Sequence, residues 1–166
     1  PELTLGEENI APPVFLLHPY IIQGGGTILY ALPGRGKSLT ALLWAQSINT
    51  GVSTFWQVKK APVLYINLER STQSLKRRLT ATNRALGLPV NSPLLIFNRR
   101  GRSLAELAPA VAKAVRQYSI QLIILDSISR AGYGDLTENR PVNLIIDTLS
   151  KLCDSWLALG PTPRGD

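Results

Sequence analysis

Ala31-Leu32-Pro33-Gly34-Arg35-Gly36-Lys37-Ser38 is the stretch whose reading decides the fold. It follows the apolar run Thr27-Ile28-Leu29-Tyr30 and leads into Leu39-Thr40-Ala41-Leu42-Leu43-Trp44-Ala45, so the local order is strand, glycine turn, helix. The pattern (Ala/Gly)-x-x-x-x-Gly-Lys-(Ser/Thr) in that setting is a phosphate-binding loop. Gly34 and Gly36 let the backbone curl with its N–H groups inward, where a β-carbon would obstruct a phosphate. The helix start adds unpaired donors and a partial positive charge. Lys37 is then placed to reach β- and γ-phosphates, and the Ser38 hydroxyl to ligate Mg²⁺. Ala31 stands where many such loops carry glycine, and it is small enough to keep the turn. The nucleotide-binding set read from the loop is Pro33, Gly34, Arg35, Gly36, Lys37, Ser38 and Leu39, with Lys37 also a catalytic candidate.

Outward from the loop, strand and helix patterns alternate. Leu39, Leu42, Leu43 and Ile48 give the first helix an apolar face, and Gly51 is placed as its C-terminal cap. A connection carrying Phe55 and Trp56, an aromatic pair read as packing, leads to Val63-Leu64-Tyr65-Ile66-Asn67-Leu68. That run is nearly continuous in apolar character, as a parallel strand covered on both faces should be. Ser71 N-caps a helix with Leu75, Leu79 and Leu86 on one face and Lys76, Arg77, Arg78 and Arg84 largely off it. Leu94 to Phe97 is a short strand before the basic turn Asn98-Arg99-Arg100-Gly101-Arg102. Ser103 and Glu106 have capping-box spacing. Pro109 leaves two readings open, a kinked helix or a turn and a restart with Pro109 as first residue. Leu122 to Asp126 is a buried strand ending in an acid. A glycine-bearing loop over 129–140 follows, then a helix opened by Pro141 and a last strand from Trp156 to Leu159. Right-handed crossovers between such units predict a three-layer α/β/α fold, a mainly parallel sheet with helices on both faces. The domain reading is a lead-in over 1–19 and a core over 20–166.

A length of 166 residues suits one domain with a sizeable core, and 45% hydrophobic with 17% charged residues excludes a disordered chain. The longest apolar runs are far too short to cross a bilayer, and the N-terminus has no signal-peptide pattern, so a cytoplasmic location is the default. The single Cys153 excludes an internal disulfide, agrees with a reducing compartment and reads as a buried structural thiol. His18, the one histidine, has no metal-binding companion and reads as a packing or surface residue. The net charge of +7 is compatible with a polyanionic partner and also suits a protein that binds nucleotide phosphates. The chain has no methionine and stops abruptly in Gly160-Pro161-Thr162-Pro163-Arg164-Gly165-Asp166, the pattern of a portion of a longer protein.

Two acids complete the candidate site. Asp126, after four apolar strand residues, falls at the sheet edge where open α/β folds bind ligands, and there it can orient Mg²⁺ opposite Ser38. Ser127 follows it, so the carboxylate that polarises an attacking water must come from elsewhere. Glu69 ends a neighbouring strand on the same edge and is the catalytic candidate.

Phosphate loop, then Leu64-Tyr65-Ile66-Asn67-Leu68-Glu69-Arg70 leading into a basic helix, then Leu122 to Ser127, resembles the RecA-like P-loop ATPases. Leu75-Lys76-Arg77-Arg78-Leu79 and Ser129-Arg130-Ala131-Gly132 look like the branch of plasmid RepA-type and DnaB-type hexameric helicases. The resemblance spans about Gln23 to Gly160. It implies ATP and Mg²⁺ as ligands, Lys37 and Ser38 on phosphate and metal, Asp126 as Walker B acid and Glu69 as catalytic glutamate. It also implies single-stranded DNA as partner and assembly into a homo-oligomeric ring, hexameric in that helicase branch, with ATP between subunits. In that group the strand matching Trp156 to Leu159 commonly ends in His or Gln, which senses the γ-phosphate; Gly160-Pro161 departs from this. Arg130, Arg140 and Arg164 are candidate arginine fingers. A replicative helicase or helicase-like motor is therefore the leading expectation. A slow nucleotide-dependent switch or adaptor, and a P-loop small-molecule kinase, stand beside it.

Overall fold

The computed structural model describes residues 11–132 and 139–161. The chain enters through a short antiparallel hairpin, β1 (Phe15–Leu17) and β2 (Ile21–Ile22). There follow β3 (Gly26–Ala31), α1 (Lys37–Thr50), β4 (Val63–Asn67), α2 (Thr72–Ala85), β5 (Leu95–Asn98), α3 (Leu104–Gln117) and β6 (Leu122–Asp126). A 3₁₀ turn (Ile128–Arg130), α4 (Asn139–Leu152) and β7 (Trp156–Pro161) complete the order. Five strands pair in parallel as β3-β7-β6-β4-β5. The last strand in sequence thus inserts between the loop-bearing strand β3 and β6.

Helices on both faces explain why β4 and β6 read as unbroken apolar runs. On one face Val63, Tyr65, Leu122, Ile124 and Leu157 pack with Leu42, Ile48 and Leu75 of α1 and α2. On the other, Leu64, Ile66, Ile123, Leu125 and Ala158 meet Leu107 and Val111 of α3 and Ile145 and Leu149 of α4. Every residue of β4 and β6 is buried. Each fully buried Leu or Ile is worth about 1.5–3 kcal/mol relative to exposure, so the alternation of faces, not of polarity, holds the sheet. This is the expected three-layer architecture of the RecA-like P-loop type. The lead-in contributes Leu16 and Leu17, both wholly buried, to the face of α1 and α2.

Local chemistry ends the helices as the residues direct. Gly51 takes φ 78° and its N–H donates to the Ser47 carbonyl at 2.8 Å, closing α1. The Ser71 and Ser103 hydroxyls accept from the N–H groups of Ser74 and Glu106, capping α2 and α3. Pro109 sits inside α3, which runs unbroken from Leu104 to Gln117, so of the two readings the single helix holds. The carbonyl it leaves without a helical donor is that of Ala105, and both residues are exposed, so the lost bond falls on the solvent side.

Several side chains depart from expectation. Leu39, expected on the apolar face of α1, is 45% exposed. Phe55 is 83% exposed and touches only the rim of Trp56, whereas Trp56 packs edge-on against Trp44, with ring centroids 5.9 Å apart. Pro141 is the third residue of α4, not its first. β7 does not end at Leu159 but continues to Pro161, which pairs with Ala31. Cys153 is buried, and His18 is exposed with its ring edge-on to Phe15. Arg164 and part of the 129–140 loop lie outside the described residues. Among the described residues no helix is long and apolar enough to cross a membrane.

Candidate functional site

The loop between β3 and α1 owes its shape to two backbone angles. Gly34 has φ 76° and Gly36 φ 80°, a left-handed conformation that only glycine takes at little cost. A β-carbon at either position would meet nothing within 4 Å, so the demand lies on the backbone and the space over the loop is open. Gly36 is the N-cap of α1 and offers no side-chain oxygen to the first-turn N–H groups. No acid occupies that first turn. The helix therefore turns free donors and its positive dipole end toward whatever sits above the loop, which fits a phosphate. Pro33, Gly34, Arg35, Gly36 and Leu39 are exposed, while Ser38 is buried.

Lys37 does not extend into solvent. Its Nζ donates to the Ala31 carbonyl at 2.9 Å and to the Gly160 carbonyl at 3.0 Å, tying the carboxyl ends of β3 and β7. The expected departure at Gly160 now has a physical reason. A β-carbon there would press on the Tyr30 ring at 3.0 Å, so the position has little room for a histidine or glutamine while Tyr30 stays in place.

Asp126 ends β6 opposite Asn67 of β4, and it is 1% exposed. The Tyr65 hydroxyl donates to its Oδ2 at 2.8 Å. Burial raises the Asp126 carboxyl above its ordinary value; hydrogen bonds from Tyr65 and Ser38 oppose this, the Glu69 charge adds to it and Arg70 opposes it. The Tyr65 phenol is held well above its own ordinary value, by burial first and by the Asp126 charge second. Ser38 and Asp126 thus face each other across the loop mouth. Among the described residues no three His, Cys, Asp or Glu side chains converge to hold a metal on their own. Two protein oxygens suit Mg²⁺, which usually completes its octahedron with phosphate and water.

Glu69 follows β4 and is exposed. It lines an open cleft of about 630 Å³ together with Arg100, Arg102, Ser129 and Arg130. Arg102 is paired with Glu106 at 3.2 Å, and the Arg99 guanidinium lies 5.4 Å from the Phe97 ring centre. Of the candidate fingers, Arg130 stands in this cleft, and Arg140 is exposed near the start of α4.

The fold brings Lys37, Ser38 and Asp126 to one sheet edge, with Glu69 near enough for its charge to act on Asp126. Three participants escaped sequence reasoning: Tyr65, Asn67 and the Gly160 carbonyl. Tyr65 and Asn67 read as strand residues, and their role depends on β4 lying beside β6 in the register that sets Asn67 against Asp126. Strand periodicity could have put both on the face of Asp126, but only once that pairing was known.

A family model described as an AAA domain matches residues 4–156, most of the chain. No curated protein matches it.

Proposed function

Since the chain belongs to the AAA-domain family, an ATP-binding P-loop NTPase fold, we propose that it is a Mg²⁺-dependent ATPase that acts on single-stranded DNA. Within that family we assign it to the RecA-like branch of RepA-type and DnaB-type helicases, as a replicative helicase or helicase-like motor. The observation that carries the reading is the meeting of Lys37, Ser38 and Asp126 at one edge, with Glu69 just after a neighbouring strand and within electrostatic reach. Its ATPase core comprises residues 20–166, with 1–19 as a lead-in, and a cytoplasmic location accompanies it.

In this reading the backbone N–H groups of Gly34 to Leu39 wrap the phosphates, with Pro33 shaping the turn, and Lys37 exchanges its two carbonyl partners for β- and γ-phosphate oxygens. Ser38 and Asp126 would hold Mg²⁺, which when bound would supply positive charge against the phosphates. Glu69 orients a water for attack on the γ-phosphorus and takes its proton as the bond to the β,γ-bridging oxygen breaks. The basic cleft beside Glu69 supplies arginines in the direction where a neighbouring subunit or a nucleic acid would approach, which suits a homo-oligomeric ring.

The test is ATP turnover with and without single-stranded DNA. Stimulation by DNA is the expected result; phosphate transfer to a metabolite in place of hydrolysis would overturn it. A second reading, a slow switch or adaptor, is favoured by one observation: Gly160 offers a carbonyl, already bonded to Lys37, where a γ-phosphate-sensing side chain is common. Slow turnover indifferent to DNA would select that reading.

A further inference from the structure

Asn67 is an amide in a wholly buried position of β4, on a face otherwise filled by Val63 and Tyr65. Packing alone would be served by valine or leucine there, and a buried amide is costly unless its donors and acceptor are all used. They are. The Arg70 N–H donates to Asn67 Oδ1 at 3.1 Å, and Asn67 Nδ2 donates to the Arg70 carbonyl at 2.8 Å. The same Nδ2 donates to Asn98 Oδ1 at 2.7 Å, and Asn98 Nδ2 donates to the Thr72 hydroxyl at 2.7 Å. The residue before Glu69 is held as well, since the Leu68 N–H donates to the Asp126 carbonyl at 2.8 Å.

Glu69 therefore stands between two pinned neighbours. On one side the backbone is fastened to β6, the strand of Asp126. On the other it is gripped at both the N–H and the C=O of Arg70 by one side chain, itself braced against β5. We propose that Asn67 is a positioning residue for Glu69, setting the turn that aims the carboxylate at its water without touching nucleotide. This rests on the reading of Glu69 as the catalytic carboxylate. A glutamate on a solvent-facing turn after a strand has no packing of its own to fix it, and a displacement of about 1 Å in such a group can cost on the order of a hundredfold in rate.

Three variants of this chain test the inference: Asn67→Ala, Asn98→Ala and Glu69→Gln, each assayed for ATP turnover, for affinity toward a fluorescent ATP analogue and for amide hydrogen exchange. The Arg70 N–H should exchange slowly in the parent. In Asn67→Ala it should lose that protection while the amides of β3 and β6 keep theirs. Asn67→Ala should lower kcat about tenfold or more with nucleotide affinity within about twofold, and Asn98→Ala should give a smaller fall. Adding Asn67→Ala to Glu69→Gln should change turnover no further, because both act through one carboxylate. Fast exchange of the Arg70 N–H in the parent, or an unchanged kcat in Asn67→Ala, would overturn the inference. Should Asn67→Ala fail to fold, Asn98→Ala decides by the same kcat criterion. Undiminished turnover in Glu69→Gln would instead remove the catalytic assignment itself, and the positioning role with it.

Discussion

Lys37 holds two strand ends together through the carbonyls of Ala31 and Gly160, so its ammonium is pre-placed at the mouth of the loop before any ligand arrives. Lys37→Ala should therefore weaken binding of a fluorescent ATP analogue by about a hundredfold or more, the worth of a charge-assisted contact in a partly desolvated site. Tight binding retained by that variant would remove the central claim. Asp126 carries the opposite kind of cost. Its carboxyl is raised from 3.8 by burial, so between the ordinary and the raised value the native state holds a proton that the unfolded chain has released. Stability accordingly falls as pH rises from the ordinary aspartate range through the raised value, and above that value the whole penalty is present. Asp126→Asn mimics the neutral form and should raise the nucleotide-free Tm at neutral pH while abolishing Mg²⁺-dependent turnover. A lower Tm in a thermal scan at pH 7 would contradict this. Tyr65 adds a second limb of the same sign, since its raised phenol loses stability for the fold only as pH climbs beyond 10.0.

Among the elements, α2 is the one whose sequence reading the structure refines most. Lys76 and Arg77 are exposed, whereas Arg78 is half-buried and its charge acts on Tyr65. Of these three, Lys76 and Arg77 are the ones exposed to a polyanion. If α2 contacts single-stranded DNA, Lys76→Ala with Arg77→Ala should reduce the slope of log affinity against log salt by about 1.4, from two phosphate contacts at about 0.7 each. An unaltered slope would assign both residues to plain surface. In α3 the proline that divided the sequence reading is accommodated because the lost hydrogen bond falls on the solvent side, at Ala105. Three caps were legible: Gly51, Ser71 and Ser103 each do in the structure what their residue types direct.

At the scale of the molecule the insertion of β7 between β3 and β6 joins the loop strand to the strand of Asp126. The closest point of that junction is Gly26, over which the Trp156 indole lies so closely that an added β-carbon would overlap the ring. Gly26→Ala should cost about 1–3 kcal/mol, read as a Tm lowered by several degrees, with nucleotide affinity per folded molecule unchanged. A Tm within a degree of the parent would show that β3, an edge strand among the described residues, yields freely.

The loop Ala31–Ser38, the order of strands and helices from β3 onward, the caps Gly51, Ser71 and Ser103 and the candidate residues Lys37, Ser38, Glu69 and Asp126 were determined by local sequence. Each depends on chemistry within a few residues: glycine at positive φ, a hydroxyl three residues before an N–H, an acid closing an apolar run. What only the tertiary structure decided is which strands lie side by side and in what register. Spatial adjacency joins Tyr65 to Asp126 across 61 positions, Asn67 to Asn98 across 31 and Lys37 to Gly160 across 123. Contacts of that separation leave no periodic trace in the chain, because strand and helix periodicity fixes which face a residue occupies but not which distant strand lies against it.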